Sequence, residues 1–200
     1  MRLYDADADY MDLIEKANQG DVDAMVKCVN YFASMPNMDN PLLIELRSKY
    51  IEELANQGNA IGLIRKADFL LEESICEESV EAALSLYALA AVKGEPYGLE
   101  RIADMFYEGR GVELDVGLAK HLFWSAIFLC DHNNKSKCPS AMTYYRTACI
   151  QEETADTEEA MHDVIMLYKL AVLVAGMDAP VDEYAIKAQE ALVRLGKAEL

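Results

Sequence analysis

Positive charge is scarce in this chain of 200 residues. Lysine and arginine together number 18 against 35 aspartates and glutamates, so the formal net charge is −17. A surface that acidic repels phosphate backbones and anionic bilayers, which argues against nucleic acid or membrane as a partner. Glycine and proline are also few, at 10 and 5, too few for a β-rich chain full of turns. Alanine, leucine, glutamate and methionine recur instead, and the composition leans towards helix. Long apolar runs are missing: the best, Leu167 to Met177, is interrupted by Lys169 and falls short of the roughly 18 residues that a membrane span needs. The N-terminus turns acidic at Asp5 and Asp7 and lacks the basic start and apolar core of a secretory signal, so the expectation is a cytoplasmic protein.

The groups that carry chemistry are just as sparse. His121, His132 and His162 are the only histidines, and no nucleophile, base and orienting group can be assembled around them; no enzyme and no cofactor is expected. A G-x-x-x-x-G-K-S/T phosphate loop is absent, and Gly109-Arg110-Gly111 reads as a helix stop and turn. Cys28, Cys76, Cys130, Cys138 and Cys149 are an odd set without the tandem pairs of a zinc ribbon, which points to reduced thiols. Their densest part, Cys130-Asp131-His132 with Cys138, offers thiolate and imidazole ligands within nine residues. Zinc there would need a fourth group such as His121 or Cys149. A metal-binding protein or enzyme using Cys130, His132 and Cys138 is therefore one alternative reading.

What the chain does contain is an internal repeat. Ala17-Asn18-Gln19-Gly20, Ala55-Asn56-Gln57-Gly58 and Ala90-Ala91-Val92-Lys93-Gly94 each close on glycine. The intervals are 38, then 36, then 82 to Gly176, the last equal to two units of about 41. In the copy that lost its glycine, Cys130-Asp131-His132 holds the place. Each closing glycine marks a helix stop that favours a left-handed residue. Small residues four positions on, Ala24, Gly62 and Gly98, let the next helix approach closely. Breakers at 35–41, 74–79, 109–115 and 154–157 divide each unit into two helices. Periodicity predicts helices near 6–18, 22–34, 41–56, 60–73, 79–92, 97–107, 115–129, 140–150, 158–174 and 181–195. Ser79 or Glu78, Asp115 and Thr157 are the expected N-caps.

The stretch from Gly98 to Ala126 resembles a Sel-one-like repeat. That family's unit runs small residue, Leu-Gly, aromatic, Gly-x-Gly-Val-x-x-Asp, Ala, two aromatics and Ala-Ala. Here those places hold Gly98, Ile102-Ala103, Phe106-Tyr107, Gly109 to Asp115, Ala119, Leu122-Phe123 and Ala126-Ile127. The preceding unit matches in part, with Gly62, Ala83, Leu86-Tyr87, Ala90-Ala91 and Gly94. The outer units match less well, the fourth through Leu167-Tyr168 and Ala171-Val172. The resemblance implies an all-α, right-handed α/α solenoid of antiparallel helix pairs, of the tetratricopeptide-like class. Residues 1–200 then form one repeat domain, with a cap at 1–20, about four repeats over 21–176 and a cap at 177–200. Secreted relatives staple neighbouring helices through cysteines separated by seven residues, the interval from Cys130 to Cys138; a reducing cytoplasm makes that staple doubtful here.

In the resembling family the first helix of each unit lines the concave side. Projected from the best repeat, that face holds Tyr97, Glu100, Asp104, Tyr107 and Glu108; the previous unit adds Asp68 and Glu72, and the first unit Asp23 and Asn30. The fourth unit gives Ser140, Thr143, Thr147 and Ile150. An acidic face with tyrosine anchors suits a basic, partly hydrophobic protein segment. The expected function is a non-catalytic adaptor or regulatory scaffold. The competing binding class is an acidic inhibitor or immunity protein that neutralises a basic enzyme such as a toxin nuclease.

Overall fold

The computed structural model describes residues 3–34, 40–130, 138–176 and 182–197. Met35 to Asp39 of the first turn, Asp131 and His132, and residues 177–181 of the expected C-terminal cap lie outside them. Ten α-helices and, among the described residues, no strand make up the fold. They are α1 (Leu3–Asn18), α2 (Val22–Ser34), α3 (Pro41–Asn56), α4 (Ala60–Glu73), α5 (Glu77–Val92), α6 (Pro96–Glu108), α7 (Val116–Leu129), α8 (Ala141–Glu152), α9 (Glu158–Ala175) and α10 (Glu183–Arg194). Every helix predicted from periodicity is present, with ends within a few residues. They group into two compact units, Met1–Ala90 and Ala91–Leu200.

Local chemistry sets most helix limits. Asp115 accepts from the Leu118 N–H at 2.8 Å and Thr157 Oγ1 from the Ala160 N–H at 3.1 Å, so both act as the expected N-caps. Asn40, Asn59 and Asp182 cap α3, α4 and α10 in the same way. The expectation for α5 needs correction. That helix begins at Glu77, ahead of Ser79, whose hydroxyl donates to Ser74 O at 2.6 Å and accepts from the Cys76 N–H at 3.0 Å. The periodic glycines Gly20, Gly58, Gly94 and Gly176 all have positive φ. Cys130, which stands in for the missing glycine, ends α7 instead at φ −57°, ψ 126°.

The repeat is also legible in the cores. In α5, α7 and α9 an aromatic residue is buried with a small or β-branched residue four positions before it and an alanine three after. The triplets are Ala83, Tyr87, Ala90; Ala119, Phe123, Ala126; and Val164, Tyr168, Ala171, none more than 1% exposed. The fourth copy, whose sequence match is weak, thus keeps the full register. In the first unit Met25, Val29, Phe32, Tyr50 and Leu54 pack α1, α2 and α3 together. In the second, α6 and α7 enclose Ala103, Ala119 and Phe123, while α8, α9 and α10 share Tyr144, Ala148, Leu167, Tyr168, Ala188 and Leu192. Gly62 explains the close approach of α4 to α3: a Cβ there would stand 2.6 Å from Ala55 N and would overlap Leu54 Cβ.

Candidate interaction surface

In the first unit Arg65 bridges the projected residues Asn30 of α2 and Asp68 of α4. Arg65 Nη2 donates to Asn30 Oδ1 at 3.3 Å and Nη1 lies 3.6 Å from Asp68 Oδ2. Asp68 also accepts from the Tyr87 hydroxyl at 2.7 Å. Glu72 is exposed and sits 3.6 Å from Arg47 Nη2. Asp23 is exposed in the first turn of α2, where a carboxylate favours the helix dipole.

In the second unit the acidic row of α6 divides. Glu100 is 1% exposed and Asp104 8%, so neither presents the open face that a partner would meet. Glu100 turns to the start of α8, accepting from the Ser140 N–H at 3.0 Å and from the Ser140 hydroxyl at 2.5 Å. It thereby holds the N-cap residue of α8, whose own side chain makes no cap bond. Burial pushes the Glu100 carboxyl above the usual carboxylate range, against the pull of those bonds. Thr143 and Thr147, projected onto the same face, are fully buried. Tyr97 is half-buried with Arg101 6.0 Å from its ring centroid.

The remaining members of the row converge on Arg146, which is itself 6% exposed. Its Nη2 donates to Glu108 Oε1 at 2.6 Å, stands 3.0 Å from Asp104 Oδ1 and donates to the Tyr184 hydroxyl at 3.1 Å. Its guanidinium carbon lies 4.6 Å from the Tyr107 ring centroid and 5.6 Å from that of Tyr184. Burial raises the Asp104 carboxyl although Arg146 opposes it. Burial alone would lower the Arg146 guanidinium, but the bonds to Glu108 and Tyr184 outweigh it and hold it above its ordinary value. Arg146 thus ties α6, α8 and α10 together, with Tyr107 and Glu108 at the rim. It was not among the residues picked from the sequence. The available signal was its isolation: between Ala141 and Ile150 it is the one charged residue, and a lone charge on a helix otherwise fit for burial asks for a partner.

Beside this cluster, α8 and α10 border a groove of about 570 Å³ that includes Tyr145, Cys149, Glu152, Tyr168 and Arg194. Tyr168 donates to Glu152 Oε2 at 2.7 Å, and Arg194 Nη2 donates to the same oxygen at 2.8 Å. Burial and a bond with Cys149 push the Tyr145 hydroxyl up to about 12. The cysteine cluster is only partly described. Cys130 and Cys138 bring their Sγ atoms to 2.8 Å, His132 lies outside the described residues, and His121 and His162 are exposed. Among the described residues no group of three or more His, Cys, Asp or Glu is arranged to hold a metal ion, and no helix is long and apolar enough to cross a membrane.

No protein-family model matches the chain, and no curated protein matches it. Among solved structures it is similar to a Sel1 repeat protein from Oxalobacter formigenes, at 14% identity and a TM-score of 0.61, over 93% of this chain and 78% of that one. It also matches a protective antigen of uropathogenic Escherichia coli strains displaying an SLR fold, at 17% identity and a TM-score of 0.49, over 90% of this chain. The present chain spans 40% of that antigen's length. Identities this low speak to fold alone, and on that level the resemblance read from Gly98 to Ala126 holds: the chain has the all-α helical-repeat fold of the Sel1 repeat proteins.

Proposed function

We propose that this protein is a non-catalytic, cytoplasmic adaptor that binds a partner protein bearing a basic surface or segment. The observation that carries the reading is the convergence of α6 and α8, the first helices of two successive pairs, and of the C-terminal helix α10 around Arg146. Such a row is how a helical repeat presents one continuous face to a long ligand. Its accessible groups are tyrosines and carboxylates, with Tyr97, Tyr107 and Glu108 from α6. In the first unit Asp23, Asn30 and Glu72 are the exposed members and Asp68 is half-buried. Glu100 and Asp104 support the face from beneath instead of touching the partner. The net charge of −17 steers a cationic protein and disfavours an anionic one.

Affinity purification of the full chain followed by mass spectrometry tests the reading. A protein captured reproducibly by the wild type should be lost or strongly reduced with Asp23→Lys, Glu72→Lys and Glu108→Gln combined, and the remaining binding should depend less on salt. Capture and salt response both unchanged, with the helical circular dichroism preserved, would place binding elsewhere. No reproducible protein partner at all would overturn the adaptor reading.

A further inference from the structure

The first unit carries one cation that nothing holds. Lys16 pairs with Asp12, Arg47 with Glu72 and Lys66 with Glu52, while Lys49 donates to Asn18 and Arg65 bridges Asn30 and Asp68. Among the described residues of that unit, Lys27 alone of the lysines and arginines has no hydrogen bond, ion pair or ring contact. Asp23, one turn back on the same helix, is exposed and forms no ion pair with it, although a carboxylate four positions before a lysine is the order that favours pairing. In a chain of net charge −17 an uncompensated cation is the exception.

Lys27 stands on the border of a groove between α1 and α2. Tyr10, Leu13, Asn30 and Tyr31 complete the lining around a volume of about 420 Å³, within the range of about 300–1,000 Å³ usual for ligand sites. Tyr10 and Tyr31 stack at an interplanar angle of 28°. With Leu13 they stay half-buried, so the helix pair leaves an apolar floor in reach of a ligand. The edge of the groove is made of donors. Arg65 occupies the Asn30 amide oxygen, which leaves the amide nitrogen as that side chain's open group. Lys27 and Asn30 are both exposed and, three positions apart, lie on one side of α2, with Tyr31 one turn from Lys27. An ammonium and an amide N–H beside an apolar floor complement a carboxylate carried next to an apolar side chain, and the ammonium rejects a lysine or arginine at the same place.

The groove is continuous with the face assigned to the partner, because Asn30 belongs to that face and Arg65 links it to Asp68 of α4. A segment laid along α2 and α4 passes the groove instead of ending in it, which favours a side-chain carboxylate over a chain terminus. The overall charge favours the same source: a free organic acid is repelled by −17, whereas an acidic residue inside a basic segment is carried in by the charge of its neighbours.

We propose that the α1–α2 groove receives an apolar residue of the partner segment together with an adjacent aspartate or glutamate, the apolar side chain on Tyr10, Leu13 and Tyr31 and the carboxylate on Lys27 Nζ and the Asn30 amide. The groove thereby sets the register in which a basic segment is seated. That the ligand is a protein segment rests on the adaptor reading; the preference for a carboxylate beside an apolar group does not.

The test titrates the full chain, with ¹³C-labelled tyrosine rings, against peptides blocked at both ends: glycine-leucine-glutamate-glycine, its glutamine counterpart, and glycine-glycine-glutamate-glycine. The first should shift the Tyr10 and Tyr31 resonances saturably at concentrations on the order of millimolar. The glutamine peptide, equal in shape and uncharged, should bind threefold or more weakly, and the peptide without leucine at least tenfold more weakly. Lys27→Gln, on an exposed side chain, should erase the preference for glutamate over glutamine while leaving the spectrum of the free protein intact. Asp23→Asn should tighten the glutamate peptide, since the competing carboxylate is removed. Equal binding of the glutamate and glutamine peptides, no saturable shift at Tyr10 and Tyr31, or a preference that survives Lys27→Gln would overturn the proposal. Tighter binding of glycine-glycine-leucine with a free C-terminus would replace the acidic side chain by a chain end and overturn it too. Failure of the peptides while a protein partner is still captured would sink the groove and spare the adaptor. Peptide binding without any captured protein would do the reverse.

Discussion

Replacing Arg146 by methionine probes the centre of the second unit. Methionine fills a similar volume without charge, so the change isolates the electrostatics. Arg146 is 6% exposed and Asp104 8%, with 3.0 Å between Nη2 and Oδ1. At an effective dielectric constant of about 20, two unit charges at that separation attract by roughly 5 kcal/mol. The desolvation of both groups offsets much of this in the intact pair, but removing one partner leaves the other buried, charged and uncompensated. The expected loss for Arg146→Met is therefore about 3–5 kcal/mol, part of it the cation–π contact with Tyr107 at about 1–2 kcal/mol. Adding Asp104→Asn should return at least about 1 kcal/mol, since the orphaned carboxylate is then gone and the two sites couple. Urea denaturation at pH 7, followed by the fluorescence of Trp124, the chain's one tryptophan, reports on this unit through α7. A loss under about 1 kcal/mol for Arg146→Met, or strict additivity with Asp104→Asn, would refute the account of Arg146 as the tie between α6, α8 and α10.

Three further expectations follow from separate features. Gly62→Ala should lower stability by about 1–3 kcal/mol, because the new methyl meets the backbone of α3 and backbone cannot yield as a side chain can; an unchanged thermal melt would contradict the close approach. Glu100 is held above its unfolded value of about 4.3, so the folded chain binds the extra proton and this group's contribution falls as pH rises from there through the folded pKa. The stability of Glu100→Gln relative to wild type should then climb with pH between 4 and that pKa and level off beyond it, on the pH scale sampled by urea unfolding in roughly one-unit steps; a flat difference would remove Glu100 as a buried titrating acid. Oxidised glutathione should join Cys130 to Cys138 ahead of any other pair, given Sγ atoms 2.8 Å apart, with the glutathione disulfide reduced to two thiols. Peptide mapping that found only a mixed disulfide at the exposed Cys76 would count against it.

Helices, their stops and their buried stripes were legible in the sequence because each depends on neighbours within a turn or two. Gly94 follows the end of α5 in a left-handed conformation, Asp115 and Thr157 cap the residues just after them, and Tyr87, Phe123 and Tyr168 recur at helical spacing from small residues. The acidic row of α6 was legible too, as a row. Whether water or another helix covers it was not, since the projection treats α6 alone. Ser140 reaches Glu100 across 40 positions and Arg146 reaches Glu108 across 38, and no local pattern in either stretch marks the other as its partner. The sequence by itself determined an all-helical repeat and the side of each helix that is apolar, which are consequences of backbone geometry and periodicity. The tertiary structure alone decided which carboxylates of one helix row are buried beneath α8 and which stay in reach of a partner. That outcome depends on how successive helix pairs are laid against one another, and burial in turn sets the electrostatic consequence of every charge in the row.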